Sequence, residues 1–271
     1  MRNADQNTRL DIDLQAIKQN YKIIENKITK KCSMAVTVKA NAYGLGVKKI
    51  APELIKLGCE NFFVATTNEG IELRTVSKKI NIFILNGLVV KDIKVIARHN
   101  LVPVINNLSQ LARIEKYQAR NKKKLNIALH FDTGMSRLGL DKIETNFFLR
   151  NKSKLLKMSN LILVMSHLAC ADNKKSKMNK VQLKKFINLK KSFPNTPFSL
   201  SNSAGIQLGK KYHFDMVRPG ISIYGGDCLV NGKNPFKNVV SLSAKIIQIR
   251  EIEKNDTIGY GATYKAKSKM K

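Results

Sequence analysis

The sequence predicts an α/β protein: a (β/α)8 barrel of the TIM type, followed by the start of a mostly missing C-terminal β-domain. Three observations lead there. Eight short apolar runs recur along the chain, at Met34–Val38, Phe62–Ala65, Ile80–Leu85, Leu101–Ile105, Leu125–Phe131, Leu161–Met165, Phe198–Leu200 and Met216–Val217. Amphipathic, helix-like stretches lie between them, and unbroken apolar runs bounded by polar turns suit strands of a parallel sheet covered by helices on both faces. The eight units occupy roughly 220 residues, close to the ~250 usual for such a barrel. A doubly wound open sheet is the alternative, and no Gly-x-Gly-x-x-Gly follows the first run to support its dinucleotide-binding form.

Taken in order, the elements begin with a helix. Leu14, Ile17, Tyr21, Ile24 and Ile28 share one helical face, and Asp13 is placed to cap the first turn. The eight strand–helix units follow. From Gly226 to Phe236 the pattern gives way to Gly, Asp, Asn and Pro, which marks a linker. Residues 1–235 are therefore assigned to the barrel and 236–271 to a partial β-domain, in which Val239–Ile249 reads as one long strand and Glu251–Asp256 as a turn. With the chain ending at Lys271, that segment holds too few residues to close a core of its own, and its strand is expected to present an apolar edge.

Composition narrows the function classes. A hydrophobic fraction of 43% with 25% charged residues is that of a soluble globular protein. The net charge of +30 would draw polyanions. The lysines, however, are scattered in short clusters such as Lys122-Lys123-Lys124 and Lys190-Lys191, without interleaved aromatics to stack bases, so they read as solvated helix faces and no nucleic-acid partner is expected. Cys32, Cys59, Cys170 and Cys228 form no Cys-x-x-Cys pair, and His167 with Cys170 lacks a second ligand pair, so reduced thiols and no metal are expected. No apolar run approaches the ~18 residues of a membrane span. The polar N-terminus lacks a signal-peptide core, and a cytoplasmic location is expected.

In a barrel, chemistry sits at the C-terminal ends of the strands. Lys39 follows the first apolar run; a lysine with a buried stem loses solvation of its ammonium form, and its neutral amine becomes available to condense with an aldehyde. A snorkelling rim lysine is the plainer reading of the same residue. Gly220 and Ile221 follow the eighth run, where barrels commonly hold phosphate on backbone N–H groups, and a hydroxyl from Ser203 or Tyr43 could complete the cup. A simple turn after Pro219 is the rival there.

The most specific segments are Val38-Lys39-Ala40-Asn41-Ala42-Tyr43-Gly44, Asp132-Thr133-Gly134-Met135 with Arg137-Leu138-Gly139, Arg218-Pro219-Gly220-Ile221, and Ile258-Gly259-Tyr260-Gly261-Ala262-Thr263-Tyr264. In order and spacing they resemble bacterial alanine racemases, from the first helix to residue 264. That resemblance implies pyridoxal 5'-phosphate as cofactor, bound to Lys39 as an internal aldimine. Lys39 and Tyr260 would be the two proton-transfer bases. Tyr43, Ser203, Gly220 and Ile221 would contact the phosphate, Arg218 would face the pyridine nitrogen, and His167 would lie beside the ring. Arg137 would orient the cofactor's phenolic oxygen or the substrate carboxylate, and as a neighbouring cation would lower the pKa of the tyrosine base from about 10. The implied reaction interconverts L- and D-alanine, the D-isomer feeding peptidoglycan. The implied assembly is a head-to-tail homodimer, with Tyr260 supplied by the partner subunit.

Each role has a plainer rival: a surface ion pair for Arg137, a core position for His167, a packing position for Tyr260. One departure is local. Relatives often carry a carbamylated lysine where this chain has His130, so Arg137 needs another partner or an anion. Two alternatives to an active alanine racemase stand beside it. One is a barrel, from a decayed or split gene, that binds the cofactor without turnover; the other is a related enzyme acting on another amino acid, either a racemase or a decarboxylase, of which Arg218 and Tyr260 favour the racemase.

Overall fold

The structure, a computed structural model, describes residues 7–230 and 232–271. β1 (Thr8–Ile12) precedes the barrel. Then β2 (Ser33–Thr37), β3 (Asn61–Val64), β4 (Asn81–Ile84), β5 (Val102–Ile105), β6 (Asn126–His130), β7 (Asn160–Met165), β8 (Phe198–Asn202) and β9 (Met216–Arg218) pair in sequence order, all parallel, and β9 closes onto β2. Each expected apolar run coincides with one of these strands, and closure excludes the open sheet.

The interior is packed rather than hollow. Ala35, Phe63, Phe83, Val102, Val104, Ala128, Leu163, Met165 and Met216, from every barrel strand except β8, form one buried cluster. Phe63 and Phe83 stack with centroids 4.7 Å apart, and the small Ala35 and Ala128 make room for them. A second apolar layer lies between the strands and the helices Lys142–Leu155 and Lys177–Lys190. There Phe198 on β8 meets Phe186 at 4.9 Å and Phe193 at 6.1 Å, and Phe131, Phe148 and Phe214 extend the aromatic chain.

Side-chain caps fix where the helices begin. Asp13 accepts from Gln15 and Ala16 N–H, as expected; Asn107, Asp141 and Asn202 cap the helices starting at Leu108, Lys142 and Ser203. Because most of these caps lie just past a strand, they also fix the loops at the barrel mouth. One further link there joins three strands: Asn106 donates its amide hydrogens to Leu85 O and Val104 O, so its oxygen accepts from His130 Nδ1 at 2.8 Å.

The chain divides into two compact units, Asp13–Val239 and a second formed by the segment ending at Ile12 with Val240–Lys271. The barrel unit thus runs past the expected boundary at 235. Asn20 donates to Ile223 O and Lys237 O and accepts from Lys237 N–H, which stitches the stretch after Gly225 back to the first helix, and Phe236 and Val239 are buried. In the second unit β10 (Val240–Ala244) pairs antiparallel with β1, and β11 (Thr257–Ile258) with β12 (Tyr264–Lys265). The strand expected over Val239–Ile249 is therefore shorter, ending at Ala244 opposite Thr8, the first residue of its partner β1. Among the described residues no helix is long and apolar enough to cross a membrane, and no cluster of His, Cys, Asp and Glu could hold a metal.

Two stability measurements follow from this packing. Phe198→Ala removes a fully buried ring and should lower the unfolding free energy by about 3–5 kcal/mol in urea denaturation, whereas Phe147→Ala, half-exposed, should change it by under about 0.5 kcal/mol. Burial, aided by the Arg218 charge, pulls the His130 pKa down from 6.5 to about 3. The folded state therefore keeps this imidazole neutral where the unfolded chain protonates it; the stability it contributes is complete above pH 6.5 and lost as pH falls towards 3. His130→Gln should flatten that part of the stability–pH curve.

Candidate active site

The strand ends build one cavity of about 500 Å³ at the barrel mouth, and it gathers Lys39, Tyr43, Arg137, His167, Ser203, Arg218, Gly220 and Ile221. Every barrel residue assigned a role from the sequence lines it. His130, Asn202 and Cys228 line it as well. Tyr260 belongs to the second unit, in the turn Tyr260–Ala262, and is fully exposed.

Lys39 and Tyr43 stand at the two ends of an unusual turn. Past β2 the backbone of Ala40, Asn41, Ala42 and Tyr43 runs at φ +51° to +57°, a left-handed turn built from residues with side chains. Such a conformation costs roughly 1–2 kcal/mol per residue. It is held by Ala42 N–H to Val38 O at 2.9 Å and Gly44 N–H to Ala40 O at 2.7 Å, and by Val47 N–H to the Asn41 side chain at 2.8 Å. Gly44, at φ +87°, ends it without penalty. The expected burial of Lys39 is not what this turn produces: Lys39 is exposed, because the turn carries it beyond the last strand pairing, Val38 N–H to Phe63 O, out to the rim.

Opposite it lies a cup of converging donors. The Ser203 hydroxyl accepts from Gly220 N–H at 2.9 Å, Ser222 N–H at 3.2 Å and the Ser222 hydroxyl at 2.9 Å. The Tyr43 hydroxyl presses on Gly220, where an added Cβ would collide with it. Gly220 is thus required by space. Ring contact with Tyr224 at 4.7 Å, whose hydroxyl donates to Thr37 O, fixes Tyr43 in place, and burial raises the pKa of its phenol.

Arg218 is buried on β9 and has no carboxylate partner among the described residues. Its guanidinium donates to Ser166 O at 2.6 Å and to the Ser199 hydroxyl, and its Nη2 faces His167 Nδ1 at 3.2 Å. Burial lowers its pKa to about 9, which leaves it a cation at neutral pH. His167 Nδ1 accepts from Arg218, since a guanidinium only donates, and the Asn202 amide, whose oxygen takes Gly205 N–H, lies 3.3 Å from Nε2. Burial and the Arg218 charge hold its pKa well below the ordinary value, so His167 is a neutral ring.

The loop after β6 is shaped by Asp132. Partial burial raises its pKa, but N–H groups of Gly134, Met135 and Ser136 bind the carboxylate and leave it below the usual value. Gln182 reaches under the loop, donating to His167 O at 2.8 Å and to Thr133 Oγ1 at 3.2 Å. Arg137 projects from this loop, exposed, with no ion pair among the described residues. Sequence reasoning missed Ser222 and the Asn106–His130 pair. Ser222 lies two residues past Gly220, within reach of the motif; Asn106 carried no local signal.

The alanine racemase N-terminal domain family matches residues 12–228. The chain is 40% identical to an alanine racemase from Rhodospirillum rubrum over 258 residues, 95% of this chain and 69% of that protein. It is 40% identical to one from Rhizobium meliloti over 256 residues, 94% of this chain and 67% of that protein. Among solved structures, an alanine racemase from Bartonella henselae with covalently bound pyridoxal phosphate superposes with a TM-score of 0.91 at 33% identity, covering 98% of this chain and 74% of that one. A closed parallel barrel, a strand-end lysine and this breadth of similarity lead to one assignment: the chain belongs to the alanine racemase family.

Proposed function

We propose that this chain binds pyridoxal 5'-phosphate and interconverts L- and D-alanine, supplying D-alanine for peptidoglycan. The observation that carries the reading is the composition of one cavity, in which a rim lysine, a cup of hydroxyl and backbone donors and a buried arginine meet. The residues fit the cofactor. Three donors already converge on an oxygen at Ser203, and the absence of a side chain at Gly220 lets the Tyr43 hydroxyl close in beside them. Tyr43, Ser203, Gly220 and Ile221 would hold that phosphate. When bound, the cofactor supplies an electron sink for the negative charge left at the substrate α-carbon.

The chain's residues do the rest. Inverting a stereocentre by proton transfer needs a base on each face. Lys39 Nζ, which also ties the cofactor covalently, is the base on one; the Tyr260 phenolic oxygen, brought by a second copy of the chain, is the base on the other. Arg218 would face the pyridine nitrogen, where as a cation it would disfavour protonation and so restrain side reactions that need the charge spread into the ring. His167, kept neutral, would lie beside the ring without adding charge. Arg137, a cation with no ion pair among the described residues, would orient the cofactor's phenolic oxygen or the substrate carboxylate; the neutral His130 offers its Nε2 lone pair where relatives often carry a carbamate.

Incubation with pyridoxal phosphate and borohydride should label the peptide containing Lys39, and Lys39→Ala should abolish both the label and D-alanine formation from L-alanine. No label on well-folded protein would falsify the cofactor assignment; label without turnover, on alanine or on a panel of other amino acids, would favour a binding-only barrel. Gly220→Ala, which forces a methyl group against the Tyr43 hydroxyl, should weaken cofactor affinity at least about tenfold in an absorbance titration, or ~1.4 kcal/mol. Unchanged affinity would remove Gly220 from the phosphate cup.

A further inference from the structure

The geometry points to Glu69 as the positioning residue that aims Lys39, an inference that rests on the reading of Lys39 given above. Glu69 is the third residue of the helix Thr67–Val76 and forms a capping box with Thr66. A capping box needs one carboxylate oxygen. Glu69 uses both: Oε2 accepts from Ala65 N–H at 2.7 Å and Thr66 N–H at 3.4 Å, while Oε1 reaches across to Ala40 N–H at 2.9 Å.

The Ala40 amide is the peptide group that leaves Lys39, so its direction sets the direction in which the lysine departs from the backbone. It is also the first donor of the left-handed turn Ala40–Tyr43. Asn41 pins the far side of that turn through Val47 N–H, and Glu69 pins the near side. One carboxylate therefore joins the mouth ends of β2 and β3, beyond the last backbone pairing at Val38. No ion pair engages Glu69 among the described residues, which leaves its charge to the three amides, and charge-assisted bonds of this kind are about twice as strong as neutral ones. Freed from it, the turn can relax towards the commoner right-handed or extended conformations, and Lys39 and Tyr43 move with it. A displacement of about 1 Å at a reacting group lowers rates on the order of a hundredfold.

Glu69→Gln keeps the size and removes one acceptor and the charge. It should slow borohydride-trapped attachment of pyridoxal phosphate at Lys39 roughly tenfold to a hundredfold and shift the pH profile of attachment. Thr66→Ala is the control: it removes the hydroxyl that accepts from Glu69 N–H and weakens the same helix cap, but leaves the bond to Ala40. Its attachment rate should stay within about twofold of the parent, even if its melting temperature falls as far as that of Glu69→Gln. Equal slowing in both variants, or parental rate and pH profile in Glu69→Gln, overturns the inference. Should Glu69→Gln not fold, amide hydrogen exchange in the parent decides: a protected Ala40 N–H supports the inference and a freely exchanging one overturns it. A parent chain that is not labelled at Lys39 at all would instead sink the cofactor reading, a result separable from every outcome for Glu69.

Discussion

Closure of the barrel between β9 and β2 is the constraint from which the site follows. Only two residue pairs, Ser33 with Met216 and Met34 with Val217, make that seam, and the chain extends it with Ser33 N–H to Asp215 O and Thr37 N–H to Pro219 O at 2.8 Å. The last bond sets Gly220 beside the turn that carries Tyr43, although far more than a hundred residues separate them in the chain. The seam depends in turn on the interior: Ala35 and Met216 share the buried cluster with Phe63 and Phe83, so a fault in that packing would weaken the seam. Because non-local contacts bear the full entropy of loop closure, this pairing is among the most demanding steps in reaching the native state.

Charge in the cavity is arranged by exclusion as much as by attraction. Arg218 is buried among a carbonyl, a hydroxyl and an imidazole, none of which neutralises it. The penalty of burying a cation is partly offset by those hydrogen bonds and by the Phe63 ring, 5.8 Å from the guanidinium carbon. Its field then acts on its neighbours. His167 and His130 are both held neutral, first by burial and next by Arg218, so the cavity presents one permanent buried cation among neutral groups. A carboxylate beside Arg218 would quench that field and raise both imidazole pKa values part of the way, with the larger effect of burial still in place.

How much of this was legible in the sequence depended on the range of the interaction. The eight strands were legible because burial on both faces writes an uninterrupted apolar run into the chain. The first helix was legible from its periodicity and from Asp13, both local signals. β1 was not: Thr8–Ile12 is short and mostly exposed, and its partner β10 lies at the far end of the chain, so Thr8–Ile12 carries no core-facing pattern of its own. At the site, Lys39, Tyr43, His167, Ser203, Arg218 and Gly220, singled out by their position just after strands and by the family motifs, line one cavity. The burial expected of Lys39 failed because the positive φ angles of Ala40 to Tyr43 cannot be inferred from alanine and asparagine, which seldom adopt them in series. The sequence Thr66-x-x-Glu69 announces a helix start, and nothing in it announces that the second oxygen is needed elsewhere.

The two halves of the proposed chemistry stand on unequal supports. Lys39 and the phosphate cup are carried by a barrel whose strands, aromatic layer and capped loops determine one another. Tyr260 is carried by a unit of two two-stranded sheets in which, among the described residues, Ala266 is the only buried hydrophobic side chain. Leu242, Ile246, Ile247 and Ile249 are largely exposed there. Sheets of two strands with no covered apolar face are marginal in water, and apolar side chains grouped in this way gain stability only by being covered. In the reading proposed above, capture of the cofactor is thus a property of the barrel's own packing. Proton transfer on the opposite face requires in addition a surface that orders Tyr260, which this unit does not make from its own side chains.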